Sequence, residues 1–132
     1  MNAYGNRCAM NKKIILLVDD SCMIRHVAGK ILRELGHEVV IAQNGSEAYE
    51  MALMYKPALI IMDVDMPVMD GIQATVCIKA DSNISHIPVL IFTGLGGEDD
   101  FKRAKDAGCQ GFLNKPIGKD LMQAEVMKLI GN

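Results

Sequence analysis

No long apolar run occurs in this sequence. The longest uninterrupted ones, such as Ile14–Val18 and Ala58–Met62, have five residues each. A bilayer-spanning helix takes about 20 and a secretion signal an apolar stretch of roughly 7–15. No membrane contact is therefore expected, and the expected location is cytoplasmic. A charge excess is missing too: 14 Lys and Arg stand against 16 Asp and Glu, for a net charge of −2. Without a basic stripe, the chain has no grip for nucleic acid. Metal-binding cysteine spacing is also lacking. Cys8, Cys22, Cys77 and Cys109 are scattered, no Cys-x-x-Cys exists, and His26, His37 and His86 do not pair with them at zinc spacing. Reduced, partly buried thiols are expected instead.

What is there is a core-forming composition. Half of the 132 residues are apolar and 23% are charged, which suits one globular domain. Residues 1–11 are polar and aperiodic and read as a flexible leader; residues 12–132 read as the domain. Within it, buried-strand patterns alternate with helical ones. The expected strands are Ile14–Val18, Glu38–Ala42, Ala58–Met62, Pro88–Phe92 with Thr93 at its end, and Gly111–Asn114. Between them, Ile24, Val27, Ala28, Ile31, Leu32 and Leu35 follow a helical stripe opened by Ser21 and closed by Gly36. Ala48, Met51, Ala52 and Tyr55 form a second stripe. Further helices are expected over Ile72–Ala80, from Glu98 to Gly108, and within Ile117–Ile130. Five strands alternating with five helices predict an α/β fold, (βα)5, doubly wound and flavodoxin-like. Its parallel sheet has strand order 2-1-3-4-5 and helices on both faces.

In such sheets, ligands sit beyond the carboxyl ends of the strands. Asp19 and Asp20 follow the first strand, Asp63 the third, Thr93 ends the fourth, and Lys115 follows the fifth. Carboxylates that meet repel by about 4 kcal/mol per pair at ~4 Å and an effective dielectric of 20. Such a cluster binds a cation or carries raised pKa values. An all-oxygen, partly open set suits Mg²⁺ with waters and a phosphate, and a hydroxyl and an ammonium beside it can hold phosphoryl oxygens.

At these residues the sequence resembles the receiver domains of two-component response regulators, chemotaxis-regulator-like and single-domain. The matching motifs are Leu17-Val18-Asp19-Asp20, the run from Ile60 through Asp63 to Met66-Pro67 and Asp70-Gly71, Thr93-Gly94, and Phe112-Leu113-Asn114-Lys115-Pro116. The resemblance implies a phosphorylation-activated switch in a two-component or phosphorelay pathway. Asp63 would accept the phosphoryl group from a sensor histidine kinase or a histidine phosphotransfer protein. Mg²⁺, with Mn²⁺ as a substitute, would be held by Asp20, Asp63, the main-chain carbonyl of Asp65 and, through water, Asp19. Thr93 and Lys115 would hold the phosphoryl group, Phe112 would be the switch aromatic, and the Lys115–Pro116 bond would be cis. A downstream effector would dock on the face of the fourth helix, fifth strand and fifth helix. The chain would not be an enzyme, beyond stoichiometric self-phosphorylation and slow self-dephosphorylation. Glycines 94, 96 and 97 would leave the switch loop mobile.

Two rivals are read from the same residues. Asp63-Val64-Asp65 also resembles the Asp-x-Asp signature of haloacid-dehalogenase-type phosphatases. The other rival is a degenerate receiver that acts only through protein contacts. Among the remaining residues, Asp70 reads as a solvated turn acid and His26 and His37 as surface residues. Met51, Met54, Met62, Met122 and Met127 read as packing residues.

Overall fold

Runs of Ile, Leu and Val too short for helices build the sheet, and a cap or a glycine marks most of the turns between them. The computed structural model describes residues 13–94, 98–115 and 118–131. The expected leader, the loop residues Leu95–Gly97 and the Lys115–Pro116 bond lie outside these. The strands are β1 (Ile14–Val18), β2 (Glu38–Ala42), β3 (Leu59–Met62), β4 (Val89–Thr93) and β5 (Gly111–Asn114). They alternate with α1 (Cys22–Glu34), α2 (Gly45–Tyr55), α3 (Gly71–Ala80), α4 (Glu98–Ala107) and α5 (Lys119–Ile130). All pairings are parallel, in the order β2-β1-β3-β4-β5, as the alternating pattern predicted.

The period of two along each strand divides the core between the faces. Leu16, Val18, Ile60, Met62, Val89 and Ile91 pack with Ala48, Ala52, Ala74, Ile78 and Ala104 of α2, α3 and α4. Ile15, Leu17, Leu59, Ile61, Leu90 and Phe92 pack with Ala28, Leu32, Met122 and Val126 of α1 and α5. Because both faces are covered, the inner strands β1 and β3 are apolar throughout rather than alternating.

Local chemistry sets the ends of the helices. The Ser21 hydroxyl accepts from Ile24 N–H at 3.3 Å, and Gly36 leaves α1 at φ +95°. Asn44 Oδ1 accepts from Glu47 N–H at 2.8 Å to open α2. Asp70 is not a solvated turn acid: its Oδ1 accepts from Gln73 N–H at 2.8 Å, and Gln73 Oε1 accepts from Asp70 N–H at 3.1 Å. This reciprocal pair starts α3 at Gly71.

Other expectations also change. His37 is 4% exposed, because the chain enters β2 directly from the α1 turn and tucks the imidazole inward. There its Nδ1 accepts from Lys13 N–H at 3.3 Å. His26 is exposed, as expected. Val27, on the expected apolar stripe of α1, is 49% exposed, since the buried arc runs through Ala28, Ile31 and Leu32. Met62 and Met122 are buried and Met51 half-buried, but Met54 and Met127 point to solvent on the outer faces of α2 and α5. Cys22 and Cys77 are free and exposed, and Cys109 is free and half-buried.

Candidate functional site

Parallel strands carry their carboxyl ends to the same edge, and the register brings particular side chains together there. Val18 and Met62 are partners across β1 and β3, so the next residues, Asp19 and Asp63, emerge side by side. Asp63 N–H donates to Val18 O at 2.9 Å and Asp19 N–H to Ala42 O at 3.1 Å, which prolongs the ladders to the acids themselves. On the other flank, Lys115 N–H donates to Thr93 O at 2.8 Å, which sets the start of the β5 exit beside the end of β4. The sequence-predicted residues Asp19, Asp20, Asp63 and Lys115 therefore do converge, with buried Thr93 closing β4 next to them.

The site is tightly wired. Lys115 Nζ lies 2.7 Å from Asp19 Oδ2 and 3.0 Å from Asp63 Oδ1. It also lies 5.4 Å from the ring centroid of Phe92, within cation–π reach. Asp19 Oδ1 accepts from Ser21 N–H at 2.8 Å. Asp19 and Asp63 are buried, and Asp20 is exposed.

Burial and two neighbouring acids perturb the titration of Asp63. Burial, followed by the charges of Asp19 and Asp20, raises the Asp63 carboxyl to about 6, against the opposing pull of Lys115. Burial alone would lower Lys115. Its hydrogen bonds to Asp19 and Asp63, with their charges, outweigh that and hold the ammonium above its ordinary value.

The donor set suits a hard cation. One carboxylate oxygen each from Asp19, Asp20 and Asp63 falls within a 4.8 Å span. Buried Asp19 Oδ2 faces the Lys115 ammonium at 2.7 Å, and a carboxylate oxygen so engaged by one donor keeps a second lone pair to offer. Few, all-oxygen ligands with one side open to water match Mg²⁺ better than a transition metal.

Asp65, two residues past Asp63, is exposed. Phe112 is half-buried on β5 and meets Phe101 of α4 edge-on, centroids 5.3 Å apart at 83°. Phe101 carried no signal in the sequence, because a single aromatic on a charged helix has no periodic partner. Two supporting residues were also missed. Arg25 Nη1 donates to Asp19 O at 2.9 Å. Gly71 packs so closely on Asp63 that a Cβ there would meet the Asp63 carbonyl. The Asp-Gly pair hinted at the glycine, whereas the arginine left no mark in the sequence pattern.

Comparison with known proteins agrees with this geometry. The family model of the response regulator receiver domain matches residues 15–127. The chain is 42% identical over 107 residues to the chemotaxis protein CheY of Halobacterium salinarum, covering 81% of this chain and 88% of that protein. It is 30% identical over 105 residues to the polar-differentiation response regulator DivK of Brucella anthropi, covering 80% and 85%. Among solved structures, the receiver domain of sensor histidine kinase PA1611 from Pseudomonas aeruginosa, with a magnesium ion coordinated in its active-site cleft, superposes with TM-score 0.86. It is 30% identical and covers 92% of this chain and 99% of its own. Chemotaxis protein CheY4 of Vibrio cholerae superposes with TM-score 0.83 at 30% identity, covering 88% and 97%.

Proposed function

This chain belongs to the response regulator receiver domain family, a phosphorylation-activated switch of two-component signalling, and from that premise we propose that Asp63 is its phosphoacceptor. The observation that carries the assignment is the position of Asp63. It is buried at the end of the central strand, β3, facing the carboxylate cluster and Lys115, whereas Asp19, which also pairs with Lys115, has its Oδ1 held by the Ser21 amide. Above pH 6 its carboxylate is ionised and, being raised, more basic than an ordinary aspartate. It would attack the phosphorus of a kinase or phosphotransfer phosphohistidine. An O–P bond forms, the N–P bond breaks, and the imidazole leaves with the electron pair.

Asp20, Asp63, the Asp65 carbonyl and, through water, Asp19 are the proposed holders of Mg²⁺ or Mn²⁺, which would neutralise the phosphoryl oxygens when bound. Lys115 moves from the carboxylates toward the new dianion, and Thr93 offers its hydroxyl. Asp19, whose Oδ1 is held by the Ser21 amide, keeps its place while Lys115 shifts. Self-phosphorylation from a small donor and slow self-hydrolysis are the only chemistry proposed. The dehalogenase-type phosphatase reading gains no support, since the acid pair precedes Asp63 and the family match spans residues 15–127.

The proposed output face is α4, β5 and α5. The Phe101–Phe112 pair supports it: Phe101 is 48% exposed, so turning Phe112 inward would open the edge-on contact and reshape the surface that an effector touches. A cytoplasmic location goes with this reading, and no described helix is long and apolar enough to cross a membrane.

Incubation with Mg²⁺ and acetyl phosphate should add one phosphate mass, and Asp63→Asn should abolish the gain. A label persisting on the variant would overturn the assignment. For the switch, a beryllofluoride adduct should shift amide signals through α4 and around Phe112. Shifts confined to the neighbours of Asp63 would refute the output face and leave the acceptor standing.

A further inference from the structure

Asp19 is fastened at every polar point it has. Its amide donates to Ala42 O, Oδ1 accepts from Ser21 N–H, and Oδ2 pairs with Lys115. The remaining point, its main-chain carbonyl, accepts from Arg25 Nη1 at 2.9 Å. That carbonyl has left the sheet, because the chain turns into α1 here and β2 ends at Ala42. Arg25 supplies the partner the ladder no longer can. Its own amide donates to Ser21 O at 3.0 Å, so it stands in the first turn of α1. Long helical side chains lean toward the N-terminus, which aims this one back over the acid loop.

The carbonyl of Asp19 belongs to the peptide plane that leads into Asp20. Asp20 is exposed, and among the described residues no hydrogen bond or ion pair holds its carboxylate. Its direction is therefore set by its backbone, and among the described residues the one side chain gripping that peptide plane is Arg25. We infer that Arg25 is a positioning residue that aims the Asp20 carboxylate into the cation site by clamping the Asp19–Asp20 peptide. The inference rests on the reading of the acid cluster as that site.

Charge and position make opposite predictions here, which sharpens the test. A guanidinium near a divalent cation repels it, so if Arg25 acted only through its charge, Arg25→Gln would bind Mg²⁺ more tightly. A clamp predicts the reverse. The experiment is a calorimetric Mg²⁺ titration of the full chain, wild type beside Arg25→Gln and Arg25→Lys, with the amide signals of residues 19–21 followed by NMR. Arg25→Gln should weaken binding about tenfold or more, the usual cost of losing a group that orients a metal ligand. It should also broaden or shift the Asp20 amide in the metal-free protein. Arg25→Lys, with one point donor in place of a planar fork, should fall between the two.

Unchanged or tighter Mg²⁺ binding in Arg25→Gln overturns the inference. So does a lower melting temperature with unchanged affinity of the folded fraction, which would make Arg25 merely structural. Should Arg25→Gln fail to fold, Arg25→Lys decides alone, and affinity equal to wild type counts against the clamp. Failure of the wild type to bind Mg²⁺ would instead sink the cation-site reading.

Discussion

Lys115 Nζ lies 3.0 Å from Asp63 Oδ1, so the carboxylate proposed as the acceptor is already ion-paired. The pair does not cancel the burial of Asp63, whose carboxyl stays raised from 3.8 to about 6. A folded-state pKa above the unfolded one means that the native state holds its proton longer. The contribution of Asp63 to stability therefore falls as pH rises from about 4 to about 6 and stays lower above that. Asp63→Asn removes the penalty. It should stabilise the metal-free protein by about 1–3 kcal/mol at pH 7.5, a gain that vanishes below pH 4. Urea melts at the two pH values check this. Equal stability at pH 7.5 would mean that Lys115 fully compensates.

Gly71 and Gly94 flank the site and should respond oppositely to a methyl group. A Cβ at Gly71 would overlap the Asp63 carbonyl, which is backbone and cannot yield, whereas at Gly94 no atom of the described residues lies within 4 Å. Gly71→Ala should cost about 3 kcal/mol or more, at the upper end of overpacking. Gly94→Ala should be neutral or gain up to about 1 kcal/mol through the unfolded chain. Thermal melts of the two variants settle the contrast.

Burial, followed by the Lys13 charge, lowers the His37 imidazole. The sign is opposite to that of Asp63: the unfolded chain takes the proton first, so stability is lost as pH falls below about 6.5. His37→Gln should flatten the pH dependence between pH 7 and pH 5 without touching Mg²⁺ binding, since the residue precedes β2 at the amino end of the sheet. An unchanged acid slope in the variant would show that another group carries it.

Asp70→Ala breaks both bonds of the α3 cap. It should cost about 1 kcal/mol and leave acetyl phosphate labelling intact. A lost label would give Asp70 a role in the site.

How much of this was visible beforehand depends on how local the cause is. Ile14–Val18, Glu38–Ala42 and Gly111–Asn114 were legible to the residue, because apolar runs bounded by acids, glycine or asparagine leave few choices. Pro88 was expected inside β4, yet the strand begins at Val89, as a residue without an N–H does not continue a ladder. The site residues at the strand ends were legible because parallel topology brings such ends together whatever the loops do. His37, Val27 and Arg25 were not: His37 meets Lys13 from a segment 24 residues away, the exposure of Val27 depends on how α1 is rotated against the sheet, and the Arg25 bond to Asp19 O, though local, depends on where the chain turns. A histidine after a glycine turn looks the same in sequence whether it faces water or Lys13, and an arginine in a first helical turn does not announce the carbonyl it will reach.

Lys115 leaves the sheet from β5, an edge strand that pairs only with β4 and is half-exposed along most of its length. The carboxylates it grips grow from β3 and β1. Its side chain thus reaches across β4 and ties the rim of the sheet to its middle, over strand intervals of about 4.8 Å each. Under the proposed chemistry, a phosphoryl group on Asp63 that drew the ammonium away would untie that rim. Amide protons of β5 and the start of α5 would then become a clock for the state of Asp63, exchanging at one rate while Lys115 is moored to the carboxylates and at another once it has moved. An event at the centre of the fold would thereby be legible at its margin.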